Sequence, residues 1–267
     1  MCSMAAELSA AGVDVIALHT EYASGQLEFA IAPQLGIESA DQMFNLKGGI
    51  KEMSLLRGLQ ATFMTKPVDG PGCSSGMHFS HSLLAGGKNA FHDMETQRLS
   101  AVGRHWAAGL IKHAAALCAL MSPTVNCYRR LHTPFAPDRA DFRLQDRYAM
   151  LRVVEDSAVK TYIENRLPSS AANPYVVLAA TVAAGIDGLV NRLELPTTID
   201  GETLPSSLLE SLAALESDRV LCDALGEEFI RWFVAIKREV EIEKVSKAKD
   251  GGKNGIAVER ELYFKFF

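Results

Sequence analysis

Apolar positions along the first third of the chain follow two rhythms. Residues 13–21 and 26–32 are extended, partly alternating runs on either side of an Ala-Ser-Gly-Gln turn, which predicts a β-hairpin. Residues 39–57 switch to helical spacing, with Ala40, Phe44, Ile50 and Leu55 on the repeat, and stop at Gly58. Residues 59–66 read as a strand again.

Pro, Gly and Ser crowd residues 67–75 into a loop, after which 76–83 alternate until the Gly86-Gly87 break. The alanine-rich run 99–121 carries Arg104, His105, Lys112 and His113, so it predicts a buried helix and not a lipid-facing span. A polar stretch reaches Arg147, followed by two short extended runs at 148–154 and 160–167. Asn173-Pro174 opens a helix running to about residue 190, because proline suits the first helical turn. That helix is apolar almost all round, which predicts burial on every side. The helix predicted over 223–245 has a single stripe of Leu225, Phe229, Phe233, Ile236 and Val240, which places it on a surface or an interface. Residues 247–255, rich in Lys and Gly, are expected to be mobile, and the apolar end at 262–267 is expected to dock.

With 267 residues, 48% of them hydrophobic, the chain has material for one sizeable core. A net charge of −5 with scattered Lys and Arg excludes a nucleic acid or an anionic membrane as partner. Cys2, Cys73, Cys118, Cys127 and Cys222 have no paired spacing, and the first residues lack a signal-peptide layout. Both point to a reducing, cytoplasmic setting.

Glu21 and Glu28 lie on adjacent predicted strands, where two carboxylates can converge on one hard cation; solvated strand residues are the commoner outcome. A period of two puts His78, Ser80 and Ser82 on one face and Met77, Phe79 and His81 on the other, so His78 and His81 cannot chelate together. The same period aligns Tyr162, Glu164 and Arg166, for which a cross-strand ion pair is the plain alternative to a ligand role. Arg129, Arg130, Arg147 and Arg152 fall in or near loops, and the arginine fork matches carboxylate and phosphate oxygens.

Taken together, ATFMTKP at 61–67, SGMH at 75–78, NCYRRL at 126–131 and SAANPY at 170–175 resemble, in order and spacing, the catalytic domain of the glutamine synthetase superfamily. Residues 171–189 and 224–237 resemble its lengsin branch, regarded as non-catalytic. The resemblance implies an α+β fold, a curved, mainly antiparallel sheet with packed helices, spanning 1–267, with 223–267 as a C-terminal helix and apolar tail. It implies that the chain starts after the family's Glu-x-Glu strand and that the N-terminal β-grasp domain is absent. Glu21 and Glu28 match ligands of one metal, and His78 and Glu164 ligands of another. Arg130 matches the arginine that holds the substrate α-carboxylate, Arg166 one near the reacting γ-carboxylate, and Arg147 and Arg152 the pair that steadies the transferred phosphoryl group, a clamp that phosphoryl transfer needs.

The departures are as informative. Ser80 stands where the family has a second loop histidine, and Tyr162 where it has an arginine two before the metal glutamate. Cys73 and Ser74 replace a loop asparagine and glycine, and Phe135, before Ala136-Pro137, replaces the flap glutamate that takes a proton from ammonium. The expectation is a non-catalytic homo-oligomeric scaffold with a possible cytoskeletal partner. The alternatives are an ATP- and Mg- or Mn-dependent ligase making glutamine or a γ-glutamyl amide, and a ligase of changed substrate with a less polar amino-acid pocket.

Overall fold

A computed structural model describes residues 2–70, 74–196, 201–250 and 254–267. The chain begins with helix α1 (Cys2–Ala10), strands β1 (Val15–Thr20) and β2 (Leu27–Ile31), and helix α2 (Glu38–Leu56). The two strands form the expected antiparallel hairpin, with His19 opposite Glu28. Leu8, Val13, Leu46 and Ile50 make a small core between hairpin and helices. Glu38 and Asp41 in the first turn of α2 favour its positive end, and Gly58, at φ +69°, ends it where the sequence predicts.

Residues 59–66 are extended but form no strand among the described residues, a correction to the sequence reading. Side chains take over the role of a strand ladder. The Asn126 amide clamps both backbone groups of Lys66, accepting from its N–H (2.7 Å) and donating to its carbonyl (2.9 Å), and Ser170 Oγ donates to the Phe63 carbonyl.

Next come β3 (Phe79–His81), β4 (Leu84–Ala85) and β5 (Lys88–Asn89), the last two turning tightly at Gly86 and Gly87, both with positive φ. The alanine-rich run forms α3 (Ala101–Lys112) and α4 (Ala114–Met121) instead of one helix. The break is at His113, whose ring lies between the Asp187 and Asp218 carboxylates. A 3-10 turn (Val125–Arg129) leads to β6 (Phe142–Leu144), β7 (Leu151–Val154) and β8 (Tyr162–Asn165). The central sheet runs β3-β8-β7-β6, antiparallel except that β6 is parallel to β7. Strand β6 lies inside what the sequence reads as an irregular polar stretch.

Helix α5 (Pro174–Val190) starts as expected, with the Asn173 side chain accepting from the Tyr175 N–H. It packs on α3 with almost no side chain between. A Cβ on Gly109 would lie 2.1 Å from the Ala184 carbonyl, and one on Gly188 2.0 Å from that of His105. The opposite face of α5 is open, with Val182, Ile186 and Val190 exposed, so the helix is buried on one side only, contrary to the sequence reading. Trp106, Leu110, Leu117, Leu120, Leu151 and Ile163 centre the main core between these helices and the sheet.

Helices α6 (Leu208–Ser217) and α7 (Arg219–Leu225) precede a break at Gly226, φ +93°. Helix α8 (Glu227–Ala235), a π-helical segment (Ile236–Ile242) and α9 (Glu243–Asp250) follow, so the helix expected over 223–245 is interrupted at Gly226, its first residues belonging to α7, and ends later. Its stripe is on the surface, with Phe229, Ile236 and Val240 exposed. Residues 247–250, expected to be mobile, are helical, and Asn254 caps α10 (Gly255–Tyr263). The apolar end docks beneath residues 59–66, where Ile256 and Tyr263 cluster with Met64, with Leu262, Phe264 and Phe267 packed around them. Phe266 is the exception, at 76% exposure. No described helix is long and apolar enough to cross a membrane.

Candidate functional site

The cleft is built on β8. Its alternation sends Glu164 and Arg166 to one face, as the sequence predicts, and the register sets Glu164 between Ser80 on β3 and Arg152 on β7. Arg152 and Arg166 each place a guanidinium nitrogen 3.1 Å from the Glu164 carboxylate, one on each oxygen. His78 Nδ1 lies 3.2 Å from the oxygen that faces Arg166. Burial alone would raise the Glu164 carboxyl, but the hydrogen bond from His78 and the two guanidiniums outweigh it and pull it down to about 2. His78 thus lies beside Glu164, and the cross-strand ion pair is there as well.

On the other face of β3, Phe79 and His81 stack 5.1 Å apart, and the Trp106 indole N–H donates to His81 Nε2 (2.9 Å). Burial lowers His81 to about 4, which keeps that nitrogen a neutral acceptor. This side is structural, and it pins β3 to α3.

Arg130 is buried, and its two terminal nitrogens donate to the carbonyls of Leu167 (3.1 Å) and Arg166 (2.8 Å). Burial and the nearby Arg166 charge lower it to about 10. Gly76 makes room for this crossing, since a Cβ there would lie 3.0 Å from Arg130 Nη2 and 3.1 Å from His78 Nε2. Arg147 is exposed, and its charge is felt at Arg166.

The hairpin supplies the opposite wall. Gln26 at its turn donates to Ser75 Oγ (3.1 Å), which ties the hairpin to the loop before β3. Partial withdrawal from water, a hydrogen bond with Glu21 and that neighbour's charge raise Glu28 above the usual carboxylate range, and the Glu164 charge adds to the effect. Glu28 thus feels the charges of both Glu21, on its own hairpin, and Glu164, on β8. As a donor set the Glu21–Glu28 pair suits a hard cation, which prefers several oxygens. Glu164 is differently placed, because guanidiniums take both of its oxygens. Among the described residues no group of three or more His, Cys, Asp or Glu side chains is arranged to hold a metal.

Phe135, at the flap position, has φ +69° and turns its carbonyl to Arg166 Nη2 (3.2 Å). Its ring stacks between those of Tyr22 and Tyr148. Neither tyrosine carries a sequence signal beyond standing next to Glu21 and Arg147. Ser80 and Tyr162 border the cleft on β3 and β8, Ser74 lies at the loop, and Cys73 is outside the described residues.

The family model for the glutamine synthetase catalytic domain matches residues 1–251. Human lengsin is 37% identical over 277 residues, covering 96% of this chain and 51% of lengsin. Glutamine synthetase of Thermotoga maritima is 36% identical over 248 residues, covering 86% of this chain and 56% of the enzyme. A solved structure described as a GmaS/ADP complex superposes with a TM-score of 0.82 at 29% identity, covering 98% of this chain and 62% of GmaS. The chain spans about half the length of the curated relatives it matches. On sequence and fold alike, this chain belongs to the glutamine synthetase catalytic-domain family.

Proposed function

We propose that the chain is a non-catalytic, lengsin-like member of its family that acts as a homo-oligomeric scaffold and does not form glutamine. The observation that carries this reading is Glu164: a carboxylate that would have to offer an oxygen to a cation has both held by guanidiniums. Phe135 adds to it, because attack by ammonia needs a base to take a proton from ammonium, and a phenyl ring has none. Similarity to lengsin over nearly the whole chain supports the same reading.

A second reading, a ligase using ATP and Mg²⁺ or Mn²⁺, draws on the Glu21–Glu28 pair and on the likeness to an ADP-bound structure. There Glu21 and Glu28 would hold the cation, which neutralises phosphate charge, while Arg147 and Arg152 would steady the transferred group.

The test uses the full chain with ATP, Mg²⁺ or Mn²⁺, glutamate, and ammonia or hydroxylamine, measuring phosphate and γ-glutamyl product together. The expected result is no product above that of Glu164→Ala, with sedimentation heavier than a monomer. Product that vanishes in Glu164→Ala overturns the scaffold reading in favour of the ligase.

A further inference from the structure

Three exposed aromatic side chains from separate segments meet at the mouth of the cleft. Tyr22 comes from the β1–β2 turn, Phe135 from the loop 131–137, and Tyr148 from the loop before β7. The Tyr22 and Phe135 rings are 5.8 Å apart and 13° from parallel, and Phe135 and Tyr148 are 5.7 Å apart and 22° from parallel. Their exposures are 81%, 47% and 57%, so the stack is no extension of the core.

The loop that carries Phe135 is strained. Both His132 (φ +63°) and Phe135 (φ +69°) are in the left-handed region that side chains other than glycine seldom enter. Such strain persists only where surrounding contacts fix it. Within the loop most hydrogen bonds are local, from Thr133 Oγ1 to the Arg130 carbonyl and from the Ala136 N–H to that of Thr133, while the His132 ring reaches the Pro205 carbonyl at 3.4 Å. Two ring stacks and the carbonyl bonded to Arg166 link Phe135 to other segments. Tyr148 stands on a braced support, since its N–H and that of Met150 are held by the Asp146 and Asp141 carboxylates.

We propose that Tyr22, Phe135 and Tyr148 form an aromatic clasp that holds the loop 131–137 closed over Arg166 and Glu164, so that an anionic ligand reaches those groups only when the clasp opens. Where the family's flap ends in a carboxylate, this chain has a self-stacking latch whose closing contacts need no ligand. The clasp is independent of whether the cleft turns over a substrate.

Amide hydrogen exchange across 131–137, and the rate at which phenylglyoxal modifies Arg166, read the open fraction in the full chain. Stacked aromatic pairs of ordinary strength predict that Phe135→Gly, which removes the ring and suits a positive φ, raises both rates about tenfold. Tyr22→Ala and Tyr148→Ala each raise them by a smaller factor, with the melting temperature unchanged. The two tyrosine variants alter exposed rings outside the loop, so they decide the matter even if Phe135→Gly misfolds. Rates equal to the parent in both tyrosine variants, or faster exchange spread through α5 as well, would overturn the clasp.

Discussion

Arg152 and Glu164 face each other across β7 and β8, and their side chains meet at 3.1 Å in a cleft where Arg166 approaches the same carboxylate from the other side. Removing the carboxylate leaves the buried Arg166 beside the buried Arg130 with its main counter-charge gone. Glu164→Ala is therefore expected to lose about 3–5 kcal/mol in urea unfolding. Arg152→Met, which leaves Glu164 paired with Arg166, should lose about 1 kcal/mol. Equal losses in the two variants would show that β7 and not Arg166 depends on Glu164.

The contact between α3 and α5 makes a sharper stability prediction. Gly109→Ala would place its methyl 2.1 Å from a backbone carbonyl, which no side-chain rotation can relieve. A loss of about 3 kcal/mol is expected. Gly48→Ala, in open space on α2, should gain about 0.5–1 kcal/mol through helix propensity. Calorimetric melting of the pair tests whether crowding or propensity governs.

His113 supplies a pH dependence. Burial alone would lower it, but hydrogen bonds with Asp218 and Asp187, and their charges, raise it above its ordinary value. Lys112 also lies against Asp187, at 2.8 Å. A group raised in the folded state adds stability that is full below its unfolded value of about 6.5 and is lost as pH rises through the folded one. His113→Asn should thus cost about 3 kcal/mol at pH 5.5 and clearly less at pH 9. A pH-independent difference between variant and parent would rule this out.

At the C-terminal end, Tyr263 donates to Glu241 Oε1 (2.6 Å) and is buried against Met64, while Glu259 accepts from Asn126 and Arg129. Tyr263→Ala is expected to lower stability by about 3–5 kcal/mol and Tyr263→Phe by about 1.5 kcal/mol. Phe266→Ser, at an exposed position, should leave the melting temperature unchanged. A large effect at Phe266 would mean that its ring is covered in solution.

The period of two along 76–83 and 160–167 sets His78 on one face of its strand and Glu164 with Arg166 on one face of theirs, because β-strand geometry leaves side chains no third direction, and the register of β3 on β8 brings the two faces together. Residues 59–66 read as a strand too, yet the backbone of Phe63 and Lys66 bonds to the side chains of Ser170 and Asn126, far along the chain, which no local pattern reveals. Strand β6 has no sequence signal because Phe142, Arg143 and Leu144 form too short a run to show a period, and a parallel partner, β7, defines them. The cleft's arginines were legible as types. What they bind was not, since Arg130 turns inward to two carbonyls. Tyr22 and Tyr148 could be found only in three dimensions, because stacking depends on where three loops end.

The hairpin, α1 and α2 have their own small core, and the sheet and helices α3–α8 another, with Met43 packed against both. Across this seam run Lys47 to the Ser170 and Ala172 carbonyls, Tyr175 to Asp41, and Gln26 to Ser75. Glu21 and Glu28 thus ride on one body and Glu164 on the other, coupled by these polar bonds, by Met43 and by the Tyr22–Phe135 and Phe44–Tyr175 ring pairs. The gap between the acidic wall and the basic wall is set at the seam, so weakening Lys47 or Gln26 would change how far apart the charges stand while both cores stay intact.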